Sequence, residues 1–160
     1  MEISSVLVLL GFIGACFLAA LTGAVSRPGD WYERLRKPSW RPPNQLFAPV
    51  WSVLYLMIAI SGWLIWRQAG FVSTTLPLAF YALQLVLNAA WTPLVFGLHR
   101  IDLGFFDIVL VWLSIVATIV LFYPIHLVAA MLLLPYLAWV TFAAALNFAL
   151  WRLNPTGRQS

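Results

Sequence analysis

Residues 31–55 read WYERLRKPSWRPPNQLFAPVWSVLY. The stretch begins basic and aromatic, is broken by proline, and then turns apolar. Pro28, Pro38, Pro42 and Pro43 keep its first part from forming one helix, because proline lacks an amide donor and restricts the residue before it. Arg27, Arg34, Arg36, Lys37 and Arg41 sit in or beside that part, and Trp31, Tyr32 and Trp40 are spaced along it. Beyond the prolines, Phe47, Trp51 and Tyr55 recur every fourth residue, so a helix aligns them on one face. The segment reads as a ligand site with its lid: a basic loop over the mouth of a helix bundle, with an aromatic wall beneath.

Outward from this stretch the chain is greasy. It is 63% hydrophobic and 9% charged, with a mean hydropathy of +0.93. Soluble domains carry about 25% charge, and a chain of this size cannot bury so much apolar surface in water. An all-α membrane protein follows. The pI of about 9.7 does not point to nucleic acid, since the few charges lie between apolar runs. Lipid headgroups are the natural counter-charge. The single cysteine, Cys16, lies in an apolar run and reads as a small packing residue.

The charges divide the chain. Residues 3–26, 42–66 and 68–99 contain no Asp, Glu, Lys or Arg, and neither do residues 108–151. A crossing helix needs about 20 apolar residues. The first three runs hold one span each. The fourth holds two, separated at Tyr123-Pro124-Ile125-His126. The expected spans are 4–26, 46–66, 77–97, 104–123 and 127–150, in one domain over 1–160. The first run lacks a basic leader and exceeds a usual signal core, so it is read as a retained span. With five spans, Arg27, Arg34, Arg36, Lys37, Arg41, Arg100, Arg152 and Arg158 fall on one side and only Arg67 on the other. The positive-inside rule then places the first loop and C-terminus in the cytoplasm and the N-terminus outside.

Polar residues within spans usually face the bundle interior. The third span offers Gln84, Asn88 and Trp91 on one stripe. The fifth offers Pro135, Trp139, Ala143 and Asn147 at intervals of four, and Ala143 leaves room beside the bulky Trp139. Helix-to-helix bonding by the amides is the competing reading. Beneath a basic aromatic loop, the three stripes favour a pocket for a large, flat, apolar ligand with acidic edges. Indole and phenol faces stack on it, amides orient it, and loop cations meet its carboxylates. A tetrapyrrole fits that description better than a sterol. Asp107 reads as an acid at the start of the fourth span, favoured by the helix dipole. His99 and His126 fall at opposite faces and cannot share a metal. There is no hydrolase, kinase or zinc pattern; catalysis, if present, would run through a bound pigment with Trp51 and Trp139 as the reactive side chains.

Three stretches carry a resemblance. WYERLRKPSWRPP followed by F-x-x-x-W-x-x-x-Y, QLVLNAAWTPLVFG, and LPYLAWVTFAAALNFALWRLN closely resemble the TspO/MBR family, the tryptophan-rich sensory proteins of bacteria and the translocator proteins, or peripheral-type benzodiazepine receptors, of mitochondria. The resemblance implies a five-helix bundle, usually a homodimer. It implies porphyrins and haem-pathway intermediates as ligands, together with isoquinoline carboxamides, benzodiazepines and, in animals, cholesterol. It places ligand positions on Tyr32, Trp40, Pro43, Phe47, Trp51, Asn88, Trp91, Trp139, Ala143 and Leu146. The residue reading adds Tyr55, Gln84 and Asn147. No cofactor is required, though a porphyrin- or haem-type ligand is expected. The first function implied is a tetrapyrrole-binding sensor, regulator or translocator. The alternatives are a light- or oxygen-dependent porphyrin-degrading enzyme, a sterol or lipid translocator, and a structural protein that recruits partners through its loop. Two features depart from the pattern. Phe148 stands where the animal sterol segment has tyrosine, and Ala79 is followed four residues on by Leu83, so the third span lacks a small-residue dimer face.

Overall fold

The computed structural model describes residues 3–155; Arg158, counted in the orientation argument, lies outside them. Seven α-helices account for the described fold. They are α1 (Ile3–Val25), α2 (Asp30–Arg34), α3 (Asn44–Ser73), α4 (Thr75–Thr92), α5 (Ile101–Phe122), α6 (Leu127–Leu132) and α7 (Leu134–Leu153). A π-helical turn over Pro93–Gly97 extends α4. Five stretches are long and apolar enough to cross a membrane: Ile3–Val25, Asn44–Ser73, Thr75–Gly97, Ile101–Phe122 and Leu127–Leu153. The outward faces carry large apolar side chains such as Leu7, Phe17, Val86 and Phe106, a surface suited to acyl chains. The five-span expectation holds.

The differences in boundaries have local causes. The second span runs past the expected 66 because Arg67 does not end it; its guanidinium folds back over the Trp63 ring, 5.2 Å from the centroid. The break comes at Gly70, whose φ of 72° is readily adopted only without a Cβ. The fourth span starts at Ile101, so Asp107 lies in its second turn and is buried. The fifth span is two helices in near-continuous succession. They part at Leu133 because Pro135 cannot donate into the preceding turn. Pro93 acts similarly in α4: lacking an amide, it starts a wider turn in which Leu98 N donates to Pro93 O at 3.0 Å. In the first loop, the basic segment contains the short helix α2, which the proline pattern did not suggest.

The helices form a ring in which α1 packs on α3 and α4, α4 on α5, α5 on α7, and α3 on α6. In span order that is 1–2–5–4–3. Most of the dry core lies at the end away from the first loop, around Ile58, Ile65, Ile115, Phe122, Ala129 and Leu133. There Ser61 Oγ donates to Ala129 O at 2.7 Å, fixing α3 to α6. Toward the first-loop end α3 only grazes α7. The bundle is therefore closed at one end and parted between α3 and α7 at the other.

Candidate ligand-binding site

The parting between α3 and α7 is walled by rings. From α3 come Phe47, Trp51 and Tyr55, which share one face as their spacing requires. Trp51 lies 5.4 Å from Tyr55 and, edge to face, 6.2 Å from Tyr136 of α7. Phe47 meets Trp139 at 5.7 Å, and Trp139 in turn lies 5.7 Å from Phe142. Trp40 reaches down from the first loop to Phe142, also at 5.7 Å. Phe47, Trp51, Tyr55, Trp139 and Ala143 are each half-buried. These faces suit stacking on a flat ligand.

The amides lie behind this wall and already have protein partners. Tyr136 is fully buried. Its hydroxyl accepts from Asn88 Nδ2 at 2.7 Å and donates to Gln84 Oε1 at 2.8 Å. Trp91 Nε1 donates to Asn147 Oδ1 at 3.1 Å, and Asn147 Nδ2 donates to Ile101 O at 3.0 Å. The two networks tie α4 to α7 and α7 to α5. Gly104 makes the second possible, since a Cβ there would collide with Val95 and stand 3.3 Å from Asn147 Oδ1. The amides thus do the helix-bonding work that competed with ligand orientation in the sequence reading. Among the described residues, three buried polar side-chain atoms keep no hydrogen-bond partner: Gln84 Nε2, Asp107 Oδ2 and Trp139 Nε1.

The first loop forms the roof. Tyr32 and Leu35 pack with Ile101, Leu146 and Leu150 in a small separate cluster, and Tyr32 meets Phe96 edge to face at 5.3 Å. Tyr32 and Leu146 therefore sit in the roof's foundation, and the aromatic wall is built without them. Lys37 Nζ lies 4.8 Å and the Arg41 guanidinium 5.4 Å from the Tyr32 ring centroid. Burial pushes the Tyr32 hydroxyl above the ordinary tyrosine value, with Arg41 opposing the rise. Trp31 stacks on His99 at 4.4 Å, a residue held at the left-handed φ of 56°. Pro43 is exposed and starts α3.

A clasp holds the roof from the far end of the chain. Asn154, just past α7, accepts from Arg36 N at 2.9 Å through Oδ1 and donates to Arg36 O at 2.9 Å through Nδ2. With the Trp31–His99 stack, it places the first loop, the α4–α5 loop and the end of α7 on one face of the bundle. Asn154→Ala is expected to free the loop. Trypsin cleavage after Arg34 and Arg36, the basic residues of the loop not followed by proline, should rise about tenfold, the equivalent of losing about 1.4 kcal/mol of hydrogen bonding. An unchanged cleavage rate would show that the clasp does not restrain the loop.

Two residues that organise the site did not stand out in the sequence. Tyr136 lies one position off the Pro135–Trp139–Ala143 series, and only its need for a buried hydroxyl partner marks it. Asn154 follows the last apolar residue and looks like an ordinary helix end. On the outer face, Phe148 packs with Phe105 at 5.3 Å, and Arg152 covers its ring.

The sequence pattern of the TspO/MBR family matches residues 6–152. The chain belongs to the TspO/MBR family. Its relatives include Protein CrtK of Rhodobacter capsulatus, 48% identical over 145 residues that cover 88% of this chain and 89% of that protein. The tryptophan-rich sensory protein of Cereibacter sphaeroides is 39% identical over 145 residues, 91% and 90% of the two chains. The human translocator protein is 38% identical over 150 residues, again 91% of this chain and 89% of that one. Family membership and the five apolar helices make this TspO/MBR protein a multi-pass membrane protein.

Proposed function

We propose that this TspO/MBR protein binds a tetrapyrrole within the membrane and serves as its sensor or translocator, as the names of its relatives suggest. The observation that carries the reading is the ring-walled parting between α3 and α7 beneath a cationic roof. A porphyrin-type ligand would lie against Trp51 and Trp139, its propionates toward Arg34, Arg36, Lys37 and Arg41, where charge-assisted bonds are strongest. The same basic face would lie in the cytoplasm and the N-terminus outside. Pairing of two copies is part of the proposal.

Titration of the purified full-length protein with protoporphyrin, followed by tryptophan quenching, tests it. Saturable quenching is expected. Trp51→Phe and Trp139→Phe should each weaken binding about five- to tenfold, the loss of one indole face at roughly 1 kcal/mol or slightly more. Unchanged affinity in both variants would remove the ligand from this parting. Conversion of bound porphyrin into a new product, at a rate that free pigment does not show, would turn the reading into that of an enzyme.

A further inference from the structure

Asp107 is the one acidic side chain buried inside the described spans. A carboxylate at membrane depth is costly and is retained where it meets a partner. Here Oδ2 has no partner among the described residues, and neither do two donors on the helices packed against α5, Gln84 Nε2 on α4 and Trp139 Nε1 on α7. Gln84 is 1% and Asp107 7% exposed, so bulk water does not satisfy them.

The register of the helices sets the three at similar depths in the bundle. A Cβ on Gly104 would stand 3.4 Å from Trp91 Nε1 and 3.3 Å from Asn147 Oδ1, so these residues share one layer of the bundle. One turn deeper lie Asp107 on α5, Asn88 on α4 and Ala143 on α7. One turn deeper again lie Gln84 and Trp139. A turn rises about 5.4 Å, so the acceptor and both donors fall within about that depth of each other. Gln84 is also bonded, through Oε1, to the hydroxyl of Tyr136. Ala143, the small residue on α7, stands at the level of the acid.

Resting on the tetrapyrrole reading, we infer that this acceptor-and-donor set, with Asp107 as its anchor, selects a ligand whose buried part carries both N–H and C=O groups, as the lactam ends of an open-chain tetrapyrrole do. A closed porphyrin ring buries only vinyl and methyl groups at its inner edge, and its N–H groups face its own centre. It leaves Asp107 Oδ2, Gln84 Nε2 and Trp139 Nε1 as they are. An open-chain tetrapyrrole presents pyrrole and lactam N–H groups to Asp107 and lactam carbonyls to Gln84 and Trp139. Its propionates remain available to the basic roof, so both ligand classes use the same entrance and differ only at the floor. Leaving buried polar groups unmatched is how a site rejects an analogue that lacks the complementary group.

The test compares biliverdin with zinc protoporphyrin, which share propionates but differ in lactam groups. Both are titrated into the full-length protein in lipid nanodiscs and into Asp107→Asn. Biliverdin should bind the unaltered protein about tenfold tighter than zinc protoporphyrin. Asp107→Asn should erase that preference, weakening biliverdin about tenfold, the effect of one charge-assisted bond, while zinc protoporphyrin stays within about twofold. Equal effects on both pigments, or none, overturn the inference. A second measurement needs no variant. A biliverdin derivative with its lactam N–H groups blocked as lactim ethers should lose the same factor on the unaltered chain, and equal binding of blocked and unblocked pigment overturns the assignment to Asp107. Saturable zinc protoporphyrin binding without biliverdin binding sinks this inference and leaves the tetrapyrrole reading standing. Absence of binding by either pigment sinks both.

Discussion

Gly104→Val is expected to cost about 3 kcal/mol of stability, near the upper end for overpacking a tight contact. The added side chain would enter the space of Val95 and press on Trp91 and Asn147. Val95 is 3% exposed and begins no flexible tail that could swing away. Relief requires α4 and α5 to separate along the line where they pack most closely. That separation also stretches the Trp91–Asn147 bond, which measures 3.1 Å. The melting temperature of the purified protein, read by loss of helical circular dichroism, checks the prediction. Asn147→Leu in the Gly104→Val background should then add little, because that bond is already lost; a fully additive second cost would show that the damage lies elsewhere.

Tyr136→Ala should be about as severe, at roughly 4 kcal/mol, the usual scale for emptying a buried aromatic site. Tyr136 is 0% exposed and is packed against Trp51. Its removal opens a void at the hinge between the closed end of the bundle and the parted one. It also strands Asn88 Nδ2 and Gln84 Oε1. Tyr136→Phe keeps the ring and loses only the hydroxyl, so it should cost about 1–2 kcal/mol, in line with hydrogen bonds between membrane helices. The contrast separates packing from bonding. If the two variants melt together, the hydroxyl rather than the ring volume holds the site. Only the alanine variant should also blunt porphyrin quenching, since Trp51 would lose the surface it leans on.

How much of this was legible beforehand follows the kind of signal. Crossing helices announce themselves through runs without charge, because lipid excludes charge over a fixed thickness, and all five were readable. Their ends were less so. Arg67 looked like a stop, but its long side chain lies back on Trp63 and the helix runs on to the break at Gly70. Asp107 looked like a helix-start charge because the start was set at 104; the true start at Ile101 carries it into the interior. The alignment of Phe47, Trp51 and Tyr55 was predictable from spacing, since period is a local property. That the Gln84 and Asn88 amides would bond to Tyr136 was not, because it depends on which helix stands opposite. Periodicity says which residues share a face and leaves open what that face meets. The Arg36–Asn154 clasp is the extreme case, a contact between residues far apart in sequence that no local pattern encodes.

That clasp has a consequence for how the molecule is made. Its two halves lie at sequence separation 118, and Asn154 follows the last helix. While a ribosome is still threading α5 through α7 into the bilayer, the roof segment is already synthesised but lacks the partner that Asn154 supplies. The clasp closes only after Asn154 has followed α7 out of the ribosome. A nascent chain stalled before Asn154 would therefore carry a loosened cationic strand at the membrane surface, open to proteases that degrade incomplete products.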